Sequence, residues 1–142
     1  MIAVDTNILI YAHRSELAKH EAAARRLIDL AEGAAAWALP VFCIGEFLRV
    51  ITHPKLFDPP FEPAEACAAL ERVLESPSLH VITPGASYVE LLLQAMRESN
   101  AVGNLAFDAQ IVALCRESGA SALLTEDRDF ARFPGFPIQH LA

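Results

Sequence analysis

No apolar run in this 142-residue chain approaches the ~20 residues that a membrane-spanning helix needs. No basic segment precedes the apolar start Met1-Ile2-Ala3-Val4, which argues against a secretory signal peptide. Cysteine is scarce. Cys43, Cys67 and Cys115 are odd in number and widely spaced, so no disulfide framework is expected. All three read as reduced core residues of a cytoplasmic protein. Serine and threonine are sparse, and no repeat, linker or low-complexity tract is present, which argues against disorder and for one domain over residues 1–142. The five histidines (His13, His20, His53, His80 and His140) are scattered without metal-ligand spacing, and no Ser, Cys or His stands out as a nucleophile. The 11 Lys and Arg residues form no cluster, which excludes strong non-specific coating of nucleic acid.

What is present is apolar substance and acid. Hydrophobic residues make up 54% of the chain, enough for a real core that buries roughly two-thirds of the unfolded surface. Met1–Asp5, Ala36–Leu39, Leu79–Thr83 and Ser121–Thr125 read as short strands, and Pro137–Gln139 as a possible edge strand. Between them lie a helical turn at Asn7–Ala12 and a helix at Leu17–Glu32, with Ala23, Ala24, Leu27, Ile28 and Ala31 on one face and Gly33 as its stop. Further helices are expected from Pro40 to about Thr52, from Pro63 or Ala64 to Glu75, over Ser87–Ser99, and over Gly103–Ser118, closed by Gly119. The proline-rich stretch His53–Pro63 must be irregular. Strands alternating with helices predict an α/β/α sandwich around a mostly parallel sheet of four to five strands.

Four carboxylates interrupt apolar surroundings. Asp5 ends Met1-Ile2-Ala3-Val4, and Glu46 sits between Val41-Phe42-Cys43-Ile44 and Phe47-Leu48. Asp108 lies between Leu105-Ala106-Phe107 and Ile111-Val112, and Asp127 follows Ala122-Leu123-Leu124-Thr125. Burying a lone carboxylate costs several kcal/mol, so such groups need partners, a shifted pKa or a cation. No basic residue adjoins Asp5, Glu46 or Asp108 in the chain. Asp5 and Asp127 follow the carboxyl ends of strands, where ligands bind in open parallel sheets, and Glu46 and Asp108 lie early in neighbouring helices. All four can therefore face one crevice. Oxygen donors without a Cys or His cluster suit Mg²⁺ or Mn²⁺ rather than zinc. Two such ions would stabilise the attacking and leaving oxygens of a phosphodiester displacement. The formal charge of −7 falls to −3 once the four acids are discounted, so net acidity does not exclude a polyanionic substrate.

Each acid also has a plain structural reading. Asp5 suits the N-cap of the helical turn that follows it. Glu46 is within reach of a surface pair with Arg49 or Arg72, Asp108 suits an early helical position, and Asp127 suits a turn. Trp37 reads as core. Arg14, Arg49, Arg128 and Arg132 lie near the acidic segments, as phosphate contacts or as solvated charges. The His53–Pro63 loop reads equally as a frame for the groove, a dimer contact or a plain connection.

Val4-Asp5-Thr6-Asn7-Ile8-Leu9, Gly45-Glu46-Phe47, Phe107-Asp108-Ala109 and Leu124-Thr125-Glu126-Asp127-Arg128-Asp129-Phe130 together resemble the PIN domain, most of all a VapC-type toxin ribonuclease. The similarity runs from the first strand to Phe136. It implies a Mg²⁺- or Mn²⁺-dependent endoribonuclease that acts on RNA, forms a homodimer and is inhibited by a cognate VapB-type antitoxin. Residue by residue, it implies that Asp5, Glu46, Asp108 and Asp127 form the metal-binding catalytic quartet. Thr6 and Asn7 match the polar pair after the first acid, and Thr125 matches the hydroxyl that orients the site. Asp129 ranks below Asp127 as a ligand. Two other functions compete: a catalytically degenerate RNA-binding or interaction module, and a phosphatase of the haloacid-dehalogenase type. The latter expects a second Asp two residues after the first, where this chain has Asn7.

Overall fold

The computed structural model describes residues 1–142. Its strands are β1 (Ile2–Val4), β2 (Trp37–Pro40), β3 (Leu79–Ile82), β4 (Ala122–Leu124) and β5 (Ile138–Gln139). The helices are α1 (Thr6–His13), α2 (His20–Glu32), α3 (Val41–Ile51), α4 (Pro63–Leu74), α5 (Tyr88–Ser99) and α6 (Leu105–Ser118). A 3-10 helix, Arg128–Arg132, precedes β5. The five strands form one sheet in the order β3-β2-β1-β4-β5, and every pairing is parallel. β1, β2 and β4 carry almost uninterrupted apolar sequence because helices cover both faces of a parallel sheet. Trp37 lies in the core, fully buried, with its indole N–H donating to Ser76 Oγ at 3.2 Å.

The order of strands creates the crevice. From β1 the chain moves outward through β2 to β3, then returns to place β4 on the opposite side of β1. The switch in direction falls between β1 and β4, whose carboxyl ends are in register at Val4 and Leu124. Asp5 N–H donates to the Leu124 carbonyl at 3.0 Å, so Asp5 and Thr125 leave the sheet side by side.

Several local expectations change. α2 begins at His20, not Leu17, because Arg14–Lys19 folds into turns closed by Leu17 N–H on Arg14 O and His20 N–H on Leu17 O. Within α2, Ala23 and Leu27 are buried, but Ile28 is 53% exposed. The helix packs mainly on α1, and a single helical neighbour covers a narrower strip than the sequence pattern offers. Cys43 and Cys115 are buried free thiols, whereas Cys67 is exposed on α4. The 3-10 helix has no periodic signature in the sequence. It is set by Asp127, whose carboxylate caps it by accepting Asp129 N–H.

Candidate active site

Asp5 combines two roles that the sequence offered as alternatives. Its Oδ1 accepts the Thr6 N–H at 2.7 Å and caps α1, while Oδ2 accepts the Thr125 hydroxyl at 2.7 Å. It is only 5% exposed, and burial, only partly offset by the Thr125 and Thr6 hydrogen bonds, pushes its carboxyl up to about 6. Glu46 and Asp127 push in the same direction through like charge. Thr125, with no solvent exposure, is the hub behind the site: its hydroxyl also accepts the Asp127 N–H at 3.0 Å and Asn7 Nδ2–H at 3.3 Å. The Thr6 hydroxyl is buried without a hydrogen-bond partner. Of the Thr6-Asn7 pair, then, the backbone of the first and the amide of the second reach the other site residues.

In front of this hub lies a groove of about 690 Å³ with two helical walls. α3 contributes Phe42, Gly45, Glu46 and Arg49, and α6 contributes Asn104 just before its start, then Leu105, Phe107, Asp108, Gln110 and Ile111. The α3 set has the spacing i, i+3, i+4 and i+7, and Asn104, Phe107, Asp108 and Ile111 repeat it at the centre of the α6 set, with an acid third in each row. Asp127 and Asp129 close the groove at the end of β4. Carboxylate oxygens of Asp108, Asp127 and Asp129 all lie within 4.8 Å of one another. The four acids singled out in the sequence thus divide. Asp108 and Asp127 converge closely, Glu46 lines the same groove, and Asp5 stands behind it, coupled through Thr125. Asp129, ranked lower in the sequence, joins the tight group.

The electrostatic consequence is strongest at Asp108. Partial burial, then the charges of Asp127, Asp5, Asp129 and Glu46, push its carboxyl up to about 7. Glu46 makes no ion pair with Arg49 or Arg72, and no salt bridge reaches Asp108, Asp127 or Asp129. The donors are hard oxygens, which fits Mg²⁺ or Mn²⁺. Cys43 Sγ lies 3.9 Å from Asp5 Oδ1, but burial and the Asp5 charge hold its thiol well above the usual range, so no thiolate joins the donors.

Comparison with known proteins decides the family. The PIN domain model matches residues 2–135. The chain belongs to the PIN-domain family. Among its PIN-domain relatives, ribonuclease VapC43 of Mycobacterium tuberculosis is 34% identical over 140 residues, covering 99% of this chain and 95% of the relative. Ribonuclease VapC25 of the same organism is 32% identical over 141 residues, covering 99% and 97%. Two solved structures share the fold. VapC20 of M. tuberculosis, described as a Sarcin-Ricin loop cleaving toxin, superposes with a TM-score of 0.70 at 20% identity, over 96% of each chain. VapBC2 of Rickettsia felis, bound to a promoter DNA fragment, gives 0.68 at 22% identity over 99% and 98%. The five-stranded parallel sheet flanked by helices is therefore the PIN α/β/α fold.

Other expected and unexpected residues sort by position. Arg14 does not face the groove of this PIN domain. It is 8% exposed, stacks 4.5 Å from the Phe57 ring centroid and 5.5 Å from that of Phe61, and donates to the Pro59 carbonyl at 3.0 Å. It anchors the proline-rich loop, which lines none of the groove. Arg49 lines the groove, whereas Arg128 and Arg132 do not. Asn104, Phe107 and Gln110 also line it and were not singled out from the sequence. Asn104 and Phe107 were findable, at one helical turn and one residue before Asp108. Phe107, 59% exposed, is the apolar lip of the groove.

Proposed function

We propose that residues 1–142, acting as one domain, form a divalent-metal-dependent endoribonuclease and the toxin of a toxin–antitoxin pair. The observation that carries this is the groove in which Asp108, Asp127 and Asp129 bring oxygens within 4.8 Å of one another, with Glu46 on the facing helix and no salt bridge to any of the four. Asp108, Asp127 and Asp129 would hold a Mg²⁺ or Mn²⁺ ion there, which when bound would supply Lewis-acid stabilisation of the phosphodiester and lower the pKa of water. The chain's residues do the rest. Asp108, Asp127 and Asp129 present their oxygens together, Glu46 presents a fourth carboxylate across the groove, and Asp5 holds Thr125 and the start of α1 in place. Arg49, at the end of the α3 row, is the one cation on the lining and suits a phosphate of the RNA strand.

Kinship with VapC ribonucleases extends the reading to a VapB-type antitoxin as protein partner and to a homodimer. α5 exposes Val89 and Leu93 on one face, four residues apart, with exposed Val102 beyond its end, which is compatible with a second copy there. No helix is long and apolar enough to cross a membrane, in keeping with action on RNA in the cytoplasm. The haloacid-dehalogenase alternative falls with the family assignment. A degenerate module is disfavoured because every acid of the quartet is present and placed around one crevice.

The test is expression alone and together with the adjacent gene. Growth arrest without the neighbour, rescue with it and discrete RNA fragments abolished by EDTA are the expected result. Intact RNA with Mg²⁺ or Mn²⁺ present, or unchanged cleavage in excess EDTA, would overturn it.

A further inference from the structure

Glu126 stands between Thr125 and Asp127 and lines neither wall of the groove. Its side chain is only 13% exposed, yet it holds groups from both ends of the chain. Oε1 lies 3.1 Å from Lys19 Nζ, in the link between α1 and α2. Oε2 accepts the Leu141 N–H at 3.0 Å and lies 3.4 Å from His140 Nδ1. Its own N–H points at Asn7 Oδ1 at 3.5 Å. His140 Nδ1 is also 2.7 Å from the Thr125 carbonyl oxygen, a contact that needs the ring hydrogen on Nδ1. Gln139 O accepts the Thr125 N–H at 2.9 Å. Residues 139–141 therefore grip both backbone groups of Thr125 and, through Glu126, the residue that follows.

That grip matters because of what Thr125 carries. Its hydroxyl binds Asp5 and receives the N–H of Asp127, so a small rotation of this segment would move both acids at once. Strand pairing ends at Leu124 with Gln139, and the Thr125 N–H on Gln139 O is the last backbone bond of that ladder. We propose that Glu126, acting with His140, is a positioning residue of the nuclease. It straps the end of β4 to the C-terminal segment, so that Asp127 stays aimed at the oxygens of Asp108 and Asp129. The inference rests on the metal-dependent nuclease reading. Partners that orient ligands from behind typically change metal affinity or activity by 10–100-fold.

The experiment compares the wild-type chain with Glu126→Ala, Glu126→Gln, His140→Ala and the double variant Glu126→Ala with His140→Ala. Mn²⁺ affinity is measured by calorimetry, kcat and KM on one RNA, and the melting temperature without metal. Glu126→Ala is expected to weaken Mn²⁺ binding and lower kcat by about 10-fold each, with KM within about twofold. Glu126→Gln keeps an acceptor for Leu141 N–H and recovers part of both, and His140→Ala gives a loss not additive with Glu126→Ala. Wild-type Mn²⁺ affinity and kcat in Glu126→Ala would overturn the inference. So would losses that follow melting temperature alone without recovery in Glu126→Gln. A wild type that neither binds Mn²⁺ nor cleaves RNA removes the nuclease reading itself, whereas an active wild type beside unaffected variants removes only the strap.

Discussion

At Asp108 a stabilising interaction and a functional one pull apart. Burial and four neighbouring acids raise its carboxyl to about 7, so near neutrality its ionised form is held against a repulsion that unfolding would release. Asp108→Asn should therefore melt higher than the wild type in EDTA at pH 7.5, while losing RNA cleavage by at least about 100-fold. A lower metal-free melting temperature, or retained cleavage, would contradict this account. Thr125 presents the opposite case. Its hydroxyl donates one of the two short hydrogen bonds, both at 2.7 Å, that support the buried Asp5 carboxylate, and Thr125→Val keeps the shape while removing it. The expected cost is roughly 2–3 kcal/mol, because a buried charge loses a donor. Denaturant unfolding at pH 8 measures it, and a change under about 0.5 kcal/mol would show that the hub does not support Asp5.

The elements matter through their faces. α3 and α6 each turn the same four-position row toward the groove, and in α3 that row contains Gly45. A glycine in a helix interior is less stable than alanine by roughly 0.5–1 kcal/mol. A Cβ placed on Gly45 would meet nothing within 4 Å. Gly45→Ala is therefore expected to stabilise the fold by about that amount, read as a higher denaturation midpoint at an unchanged slope. Destabilisation would mean that the α3 wall is packed more tightly than this geometry allows. The added methyl also enters the groove beside Glu46, so stability gained there comes at the expense of space in the groove.

Across the whole molecule, the raised acids link fold, pH and cation. Asp5 titrates from 3.8 in the unfolded chain to about 6 in the folded one, and Asp108 from 3.8 to about 7. For an acid raised by folding, the favourable contribution is complete below the unfolded value and disappears as pH rises through the folded value. For Asp5 alone the change amounts to roughly 3 kcal/mol between about pH 4 and pH 6. On the proposed reading, a divalent cation would compete with protons for the oxygens of Asp108 and its neighbours. Added Mn²⁺ should accordingly raise the melting temperature more at pH 7.5 than at pH 5.5. Equal shifts at both pH values would mean that the cation binds away from these acids.

Most of the architecture was legible in the chain, because local signals agree with one another. The order of strands and helices, the buried Trp37 and the four acids in apolar settings follow from periodicity, punctuation and the cost of burying charge. The groove rows were not read from the sequence, although helical spacing aligns Asn104, Phe107, Asp108 and Ile111. Long-range pairing was not legible. That β4 lies beside β1, bringing Thr125 onto Asp5 across 120 positions, depends on closure of the sheet, which no local pattern encodes. Tertiary structure likewise withdrew Arg14 into an aromatic clamp, exposed Cys67 and Ile28, and raised Asp129 to a member of the tight acidic group through a turn that Asp127 itself caps. Residue type and spacing determined which groups could perform chemistry. Only the fold decided which of them meet, because proximity is set by packing between segments remote in the chain.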